Sequence, residues 1–243
     1  MPLLPATPPN PHQVDGQTVF DGLAFMQAPI NITRLAELLA DHNTARGARF
    51  HGPELRQRLQ ELHQSGAVQT TAQGQWWAEP QASWARFAAL VRQPEACARW
   101  WASWRRLHRF DHSWHLELFG EEAMVGALRV VVYAGGTPAA FERLSLLSRS
   151  VSPENPTLLS AALLKPFDVD LWQRVDPELR YRLLLGLLNH LGGDCETLTQ
   201  PLWLWLQAQS QPDPGVLHDL PRLRLAERLV LAGQAGEARR VLL

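Results

Sequence analysis

Residues 52–78 read GPELRQRLQELHQSGAVQTTAQGQWWA, and this stretch decides the predicted fold. Three leucines recur in it at helical spacing: Leu55, Leu59 and Leu62. The other side of the same helix is polar, which predicts an amphipathic helix with one buried face. Gly52-Pro53 marks the start of this helix and Gly66 its end. Two short β-prone stretches then flank Gln73-Gly74, and they predict a small hairpin.

Two shorter apolar stripes precede this helix. One covers residues 19–26 and the other residues 30–39, each at helical spacing. Asn31 or Thr33 is able to cap the start of the second helix with its side-chain oxygen. The order of three helices and a glycine-turned hairpin over residues 16–80 resembles a winged-helix domain. This resemblance implies that the third helix is a candidate recognition helix and that the hairpin is the wing.

The rest of the chain, residues 81–243, has continuously helical patterning broken by glycine and proline turns. Three stretches in it share one pattern, an apolar helix, a glycine turn and a second helix: 130–147, 187–206 and 229–243. Such helical pairs bury their apolar faces by stacking on neighbours. The last pair resembles a tetratricopeptide-type repeat.

We therefore predict a mainly α-helical chain in three parts. Residues 1–15 contain five prolines and are predicted to be a disordered tail. Residues 16–80 form a winged helix-turn-helix domain with a small β-hairpin. Residues 81–243 form an irregular array of α-helical hairpins.

Composition excludes several classes of function. The formal charge is -1, so the chain as a whole is not a strongly basic nucleic-acid binder. Cys97 and Cys195 lie far apart in the sequence, without the spacing of a disulfide framework or a zinc site. No secretory signal and no apolar run of about 18 residues is present, so we expect a cytoplasmic protein without membrane contact.

No motif of catalysis or cofactor binding occurs in the sequence. The chain lacks a glycine-rich phosphate loop, a nucleophile elbow and a flavin fingerprint. Three histidines, His108, His112 and His115, would share one face of a helix and could hold a metal, but aromatic neighbours and the missing H-E-x-x-H pattern favour packing or helix capping. We predict a non-catalytic chain with no cofactor and no metal.

One segment, Trp84 to Phe110, is markedly basic. It carries six arginines against Glu95 alone, with four tryptophans between them. Arginine beside aromatic rings can contact phosphates and stack on bases. The alternative is an amphipathic helix whose tryptophans face the core while its arginines stay in solvent.

The predicted winged-helix domain, residues 16–80, and the basic segment from Trp84 to Phe110 both offer candidate DNA contacts. Arginines would meet phosphates and glutamines would reach base edges in the major groove. The candidates are Arg46, Arg49, Arg56, Gln57, Arg58, Gln60, Gln64, Gln75, Arg105 and Arg106. Residues 16–80 nevertheless hold five arginines against six acidic residues, which weakens the electrostatic case.

Two functional hypotheses remain open. The combination of a winged helix with tetratricopeptide-like repeats is similar to accessory or N-terminal regions of larger bacterial regulators and of SWI/SNF-type helicases. This resemblance implies a DNA-associated module that places a larger assembly or motor on double-stranded DNA. The alternative is a protein-interaction scaffold with a structural winged helix, whose partner is another protein or the remainder of a larger chain.

Overall fold

A computed structural model describes residues 15–42, 52–113, 116, 120–148, 152–153, 155–190, 219–231 and 233–242. These residues are mainly helical, with one small antiparallel sheet of two strands. The chain divides into two compact units, residues 1–107 and residues 108–243. The predicted mainly α-helical class is confirmed.

The described residues of the first unit form five α-helices, a 3₁₀ turn and the hairpin. Its elements are α1 (Gly16–Met26), α2 (Ile32–Leu38), a 3₁₀ turn (Leu39–Asp41), α3 (Gly52–Gln64), β1 (Val68–Thr70), β2 (Trp76–Ala78), α4 (Pro80–Arg92) and α5 (Pro94–Leu107). Side-chain caps fix several helix starts. Asn31 accepts a hydrogen bond from the Arg34 amide at the start of α2, as one of the two predicted caps would. Glu79 accepts from two amides at the start of α4.

The hairpin lies where the sequence places it. β1 and β2 pair in antiparallel register, with Gln69 opposite Trp77. Gly74 in the connection has a φ of 73°, which favours glycine because it has no Cβ. Ile30, between α1 and α2, exchanges two backbone hydrogen bonds with Trp76, at 2.9 and 2.8 Å. The short α1–α2 connection is thereby attached to β2 on the edge that β1 leaves open.

The core of the first unit is built around an aromatic cluster. The Phe25 ring of α1 lies 5.6 Å from Phe87 of α4 and 5.8 Å from Trp100 of α5, between ring centroids. All three side chains are buried. Because α4 and α5 pack on α1 and α2 in this way, the first unit continues to Leu107 instead of ending at the predicted boundary at residue 80.

In the second unit, the regular secondary structure of the described residues is helical, with turns and loops between the helices. Its elements are α6 (Glu121–Arg129), a π-helical segment (Val130–Gly135), α7 (Pro138–Leu147), α8 (Pro156–Leu163), α9 (Val169–Arg174), α10 (Pro177–His190), α11 (Asp219–Leu231) and α12 (Ala235–Leu242). α6 packs against α8, and α10 packs against α8 and α11. Each of these four helices carries at least one buried leucine.

Of the three predicted helix–turn–helix pairs, 130–147 lies within the described residues, and 229–243 does so except for residues 232 and 243. Gly136 has a φ of 62° and separates the π-helical segment from α7, and Gly233 has a φ of 76° between α11 and α12. Both glycines therefore occupy the left-handed conformation at a helix end. The remaining pair, predicted over residues 187–206, continues beyond His190 into residues outside the described ones.

Among the helices of the described residues, none combines the length and the apolar character needed to cross a bilayer.

Candidate interaction surface

α3 has one buried side and one exposed side. Leu55 and Leu59 are fully buried, and Leu62 is half-buried. The opposite side is exposed, and we call it the α3 face. It consists of Arg56, Gln57, Gln60, Glu61 and Gln64. The sequence placed these glutamines and Arg56 outward, and the structure leaves them uncovered within the described residues.

The hairpin is tied to the end of α3 by one histidine. Nδ1 of His63 donates a hydrogen bond of 2.8 Å to the carbonyl oxygen of Val68, the first residue of β1. The same imidazole meets the Trp76 ring edge-on, with centroids 6.1 Å apart. The Ala67 amide also donates to the Leu62 carbonyl. The α3 face and the hairpin are thus fixed next to each other.

Gln75, the candidate contact in the hairpin, lies in the turn before β2. Its amide donates to the Thr71 hydroxyl oxygen at 3.2 Å, and its carbonyl accepts from the Thr71 amide at 2.9 Å. The residue is half-buried, unlike the exposed glutamines of α3. Its backbone therefore shapes the hairpin turn, while its side chain is less accessible than those of the α3 glutamines.

The charges on α3 are matched within the helix. Arg58 forms a close ion pair with Glu61, one turn further along. Gln57 donates a second hydrogen bond to the same carboxylate, at 3.0 Å. Both hydrogen bonds lower the pKa of Glu61 below its usual value, and the one from Arg58 has the larger effect. Two of the predicted DNA contacts are therefore bonded to an acidic residue that lies among them.

Three arginines of the basic segment between Trp84 and Phe110 contact an acidic residue or an aromatic ring. Arg86 binds Asp21 in α1, and Arg106 forms an ion pair with Asp41 and donates to the Glu37 carbonyl oxygen at 3.2 Å. The Arg105 guanidinium lies 5.8 Å from the centroid of the Trp101 ring.

The tryptophans of α5 are arranged as the alternative interpretation predicts. Trp100 and Trp104 are 4% and 1% exposed. Trp101 is half-buried and stacks on Trp104, with ring centroids 5.4 Å apart. The aromatic side of α5 therefore faces the core of the first unit, while Arg106 remains exposed at the end of the helix.

The described residues of the first unit carry no net charge. Residues 15–42 and 52–107 hold eight arginines, no lysine and eight acidic residues. Three of these arginines, Arg58, Arg86 and Arg106, each form an ion pair with an acidic residue. Opposite charges at such spacing cancel over the Debye length of about 8 Å at physiological salt.

The structure brings together only part of the predicted site. Arg56, Gln57, Arg58, Gln60 and Gln64 all lie on α3, with Gln75 in the neighbouring hairpin. Arg106 contacts α2 and the 3₁₀ turn after it, so its partners are not on α3. Arg46 and Arg49 lie outside the described residues.

The acidic partners were missed from sequence. The Arg58–Glu61 spacing of three residues is a helical signal that could have revealed that pair. Asp21 and Arg86 are separated by 65 residues, and nothing local links them.

The histidine cluster does not form one helical face. α5 ends at Leu107, and residues 108–112 form turns. His108 is buried, His112 is exposed, and His115 lies outside the described residues. Within the part of the chain that the structure describes, no three His, Cys, Asp or Glu side chains are placed to hold a metal ion.

No known protein family, curated protein or solved structure matches this chain.

Proposed function

We propose that this chain is a non-catalytic protein-interaction module. Its first unit is a winged-helix domain that offers the α3 face to a protein partner, and its second unit is a scaffold of tetratricopeptide-like helical pairs. The observation that carries the proposal is an exposed α3 face without net positive charge. The partner is another protein or the remainder of a larger bacterial chain.

The winged-helix assignment is supported by the order and pairing of the elements. Three helices precede a hairpin, and Ile30 pairs with Trp76 so that the α1–α2 connection lies alongside β2. A winged helix uses the exposed side of its third helix, together with the wing, as its binding surface. In this chain that side is α3, with the hairpin held beside it by His63.

The choice of a protein partner follows from electrostatics. Duplex DNA carries one negative charge per about 1.7 Å of helix axis, and most non-specific affinity comes from cations that meet these phosphates. Arg56 and Arg58 share α3 with Glu54 and Glu61, so DNA would meet as many negative as positive charges there. Protein interfaces commonly hold polar side chains of mixed sign, with arginine enriched among them.

The second unit supports the scaffold assignment through its terminal helical pair. Leu225 and Leu229 of α11 are buried against neighbouring elements. Leu223, Val230 and Leu231 of the same helix are 52%, 57% and 65% exposed. Helical pairs stack through apolar faces. The exposed leucines and valine therefore favour a surface that packs against another helical pair or against a partner protein.

DNA association is the second candidate function, favoured by the exposed glutamines. Gln57, Gln60 and Gln64 lie on the accessible side of a helix beside a wing, and glutamine recognises adenine through its amide. The Glu61 carboxylate of the Arg58–Glu61 pair is exposed, so solvent screens this pair. A phosphate can therefore compete with Glu61 for Arg58.

Site-directed photo-crosslinking separates the two functions. A photoreactive amino acid at Gln60 probes the α3 face, and the same probe at Ala85 on α4 is the matched control, since both residues are exposed. In nuclease-treated cell extract, we expect a discrete protein adduct from position 60 and not from position 85. An adduct that vanishes on nuclease treatment, or that forms equally from both positions, contradicts the proposal.

A further inference from the structure

His42, just after α2, contacts the middle of α5. It follows the 3₁₀ turn, and its imidazole stacks flat on the Trp100 indole, with centroids 3.5 Å apart and planes 11° apart. Its Nε2 lies 3.0 Å from the Ser103 hydroxyl oxygen. Ser103 is 1% exposed, so this hydrogen bond forms at the edge of the core.

The surroundings of His42 favour the neutral form of its imidazole. Partial burial penalises the charged form first, and the positive charge of Arg99 on α5 disfavours it further, so the pKa of His42 is lowered to about 4. Asp21 on α1 acts in the opposite direction and is the smaller of these influences. Asp41 stands next to His42, but its carboxylate is engaged by Arg106 of α5.

Charged groups therefore approach His42 from each element around it. α5 contributes Arg99 and Arg106, α1 contributes Asp21, and the 3₁₀ turn contributes Asp41. Asp21 is itself held by Arg86. Within the described residues, both nearby acids are bonded to arginines, and the influence of Asp21 on the pKa of His42 is smaller than those of burial and of Arg99.

We propose that the stack of His42 on Trp100 is an acid-sensitive latch that holds the end of α2 on α5 and opens when the imidazole takes up a proton. The latch is independent of the partner that the α3 face binds. A released His42 is solvated and has an ordinary histidine pKa, whereas a latched His42 resists protonation. Acid therefore favours the released state. Between the two pKa values, each fall of one pH unit lowers the ratio of closed to open latch by up to tenfold.

Nuclear magnetic resonance of the intact chain tests the latch. The ring signals of His42 and the indole NH of Trp100 are assigned and followed from pH 7.5 to pH 3 in wild type and in two variants. His42→Gln removes the titrating group, and His112→Gln removes an exposed histidine of the second unit as a matched control.

We expect His42 in wild type to remain neutral through pH 6 and to titrate well below it, with the Trp100 indole signal moving at the same midpoint. The Trp100 transition should disappear in His42→Gln and persist in His112→Gln. A His42 midpoint near 6.5, or a Trp100 signal that does not follow His42, overturns the latch. If His42→Gln does not fold, the paired midpoints in wild type and in His112→Gln still decide the question.

Discussion

Arg86 of α4 donates two hydrogen bonds to the carboxylate of Asp21 in α1, from Nε at 2.6 Å and from Nη2 at 2.7 Å. Gln17 donates a third hydrogen bond to this carboxylate at 2.7 Å. The Asp21 side chain is 12% exposed, so solvent screens this pair less than an ion pair at the surface. The pair joins the first helix of the first unit to a helix beyond the hairpin.

Removal of this carboxylate should destabilise the first unit. Asp21→Ala leaves the Arg86 guanidinium and the Gln17 amide without their acceptor. We expect a loss of about 2–3 kcal/mol in the free energy of unfolding, at the low end for a buried pair because Arg86 is partly exposed. Urea denaturation followed by tryptophan fluorescence measures it. Glu61→Ala, which breaks an ion pair whose carboxylate is exposed on α3, is the control and should change stability much less; equal losses in the two variants would contradict this assignment.

The buried side of α3 predicts a larger effect. Leu59 is fully buried, so Leu59→Ala should lower the free energy of unfolding by about 2–5 kcal/mol, through lost apolar burial and the cavity left behind. Gln60→Ala, the neighbouring exposed position, should lie within about 0.5 kcal/mol of wild type. Thermal and chemical denaturation give both values. A Leu59→Ala protein as stable as the Gln60→Ala protein would show that α3 does not pack as described.

The sequence pattern revealed local structure well because its signals are local. Leu55 and Leu59 at helical spacing, followed by Gly66 and Gly74, were sufficient to place α3 and the hairpin. The pattern carried no information on which unit α4 and α5 join. That depends on Phe87 and Trp100 meeting Phe25, contacts between residues far apart in the chain. The charge balance of the candidate site was visible in composition, but the pairing of Arg86 and Arg106 was not.

The hairpin should depend on His63. His63→Phe keeps a ring near Trp76 and removes the Nδ1 hydrogen bond to the Val68 carbonyl. We expect a loss of about 1 kcal/mol and faster amide hydrogen exchange in β1 and β2, with α4 unchanged. Hydrogen exchange measured by mass spectrometry checks this. Unchanged exchange in the hairpin would mean that the strands do not rely on this contact.

In the second unit, Arg129 joins α6 to the end of α8. Its guanidinium donates to the carbonyl oxygens of Ala161, Ala162 and Lys165, at 3.1, 3.1 and 2.6 Å. Burial lowers its pKa below the usual arginine range, and three acceptors at a helix C-terminus offset part of that penalty. Arg129→Met, which retains an unbranched apolar side chain, should destabilise the unit by about 2 kcal/mol. Arg239→Met at an exposed position of α12 is the control, and similar stability of the two variants would refute the role of Arg129.

The negative charge on α3 can itself be tested. Glu54→Gln combined with Glu61→Gln leaves Arg56 and Arg58 without acidic neighbours on their helix. We expect this double variant to bind duplex DNA more tightly than wild type, with a steeper loss of affinity as salt is raised. Gln57→Glu combined with Gln60→Glu should show no saturable binding, like wild type. Equal affinities across the three proteins would mean that DNA, if bound, is held elsewhere.

The most direct measurement is the binding of wild-type chain to a fluorescent DNA duplex at low salt, followed by anisotropy. A neutral α3 face predicts no saturable binding at micromolar protein, and no change when Arg56→Ala is introduced. Tight binding that weakens steeply with salt and is reduced by Arg56→Ala would contradict the proposed protein-binding role of the α3 face.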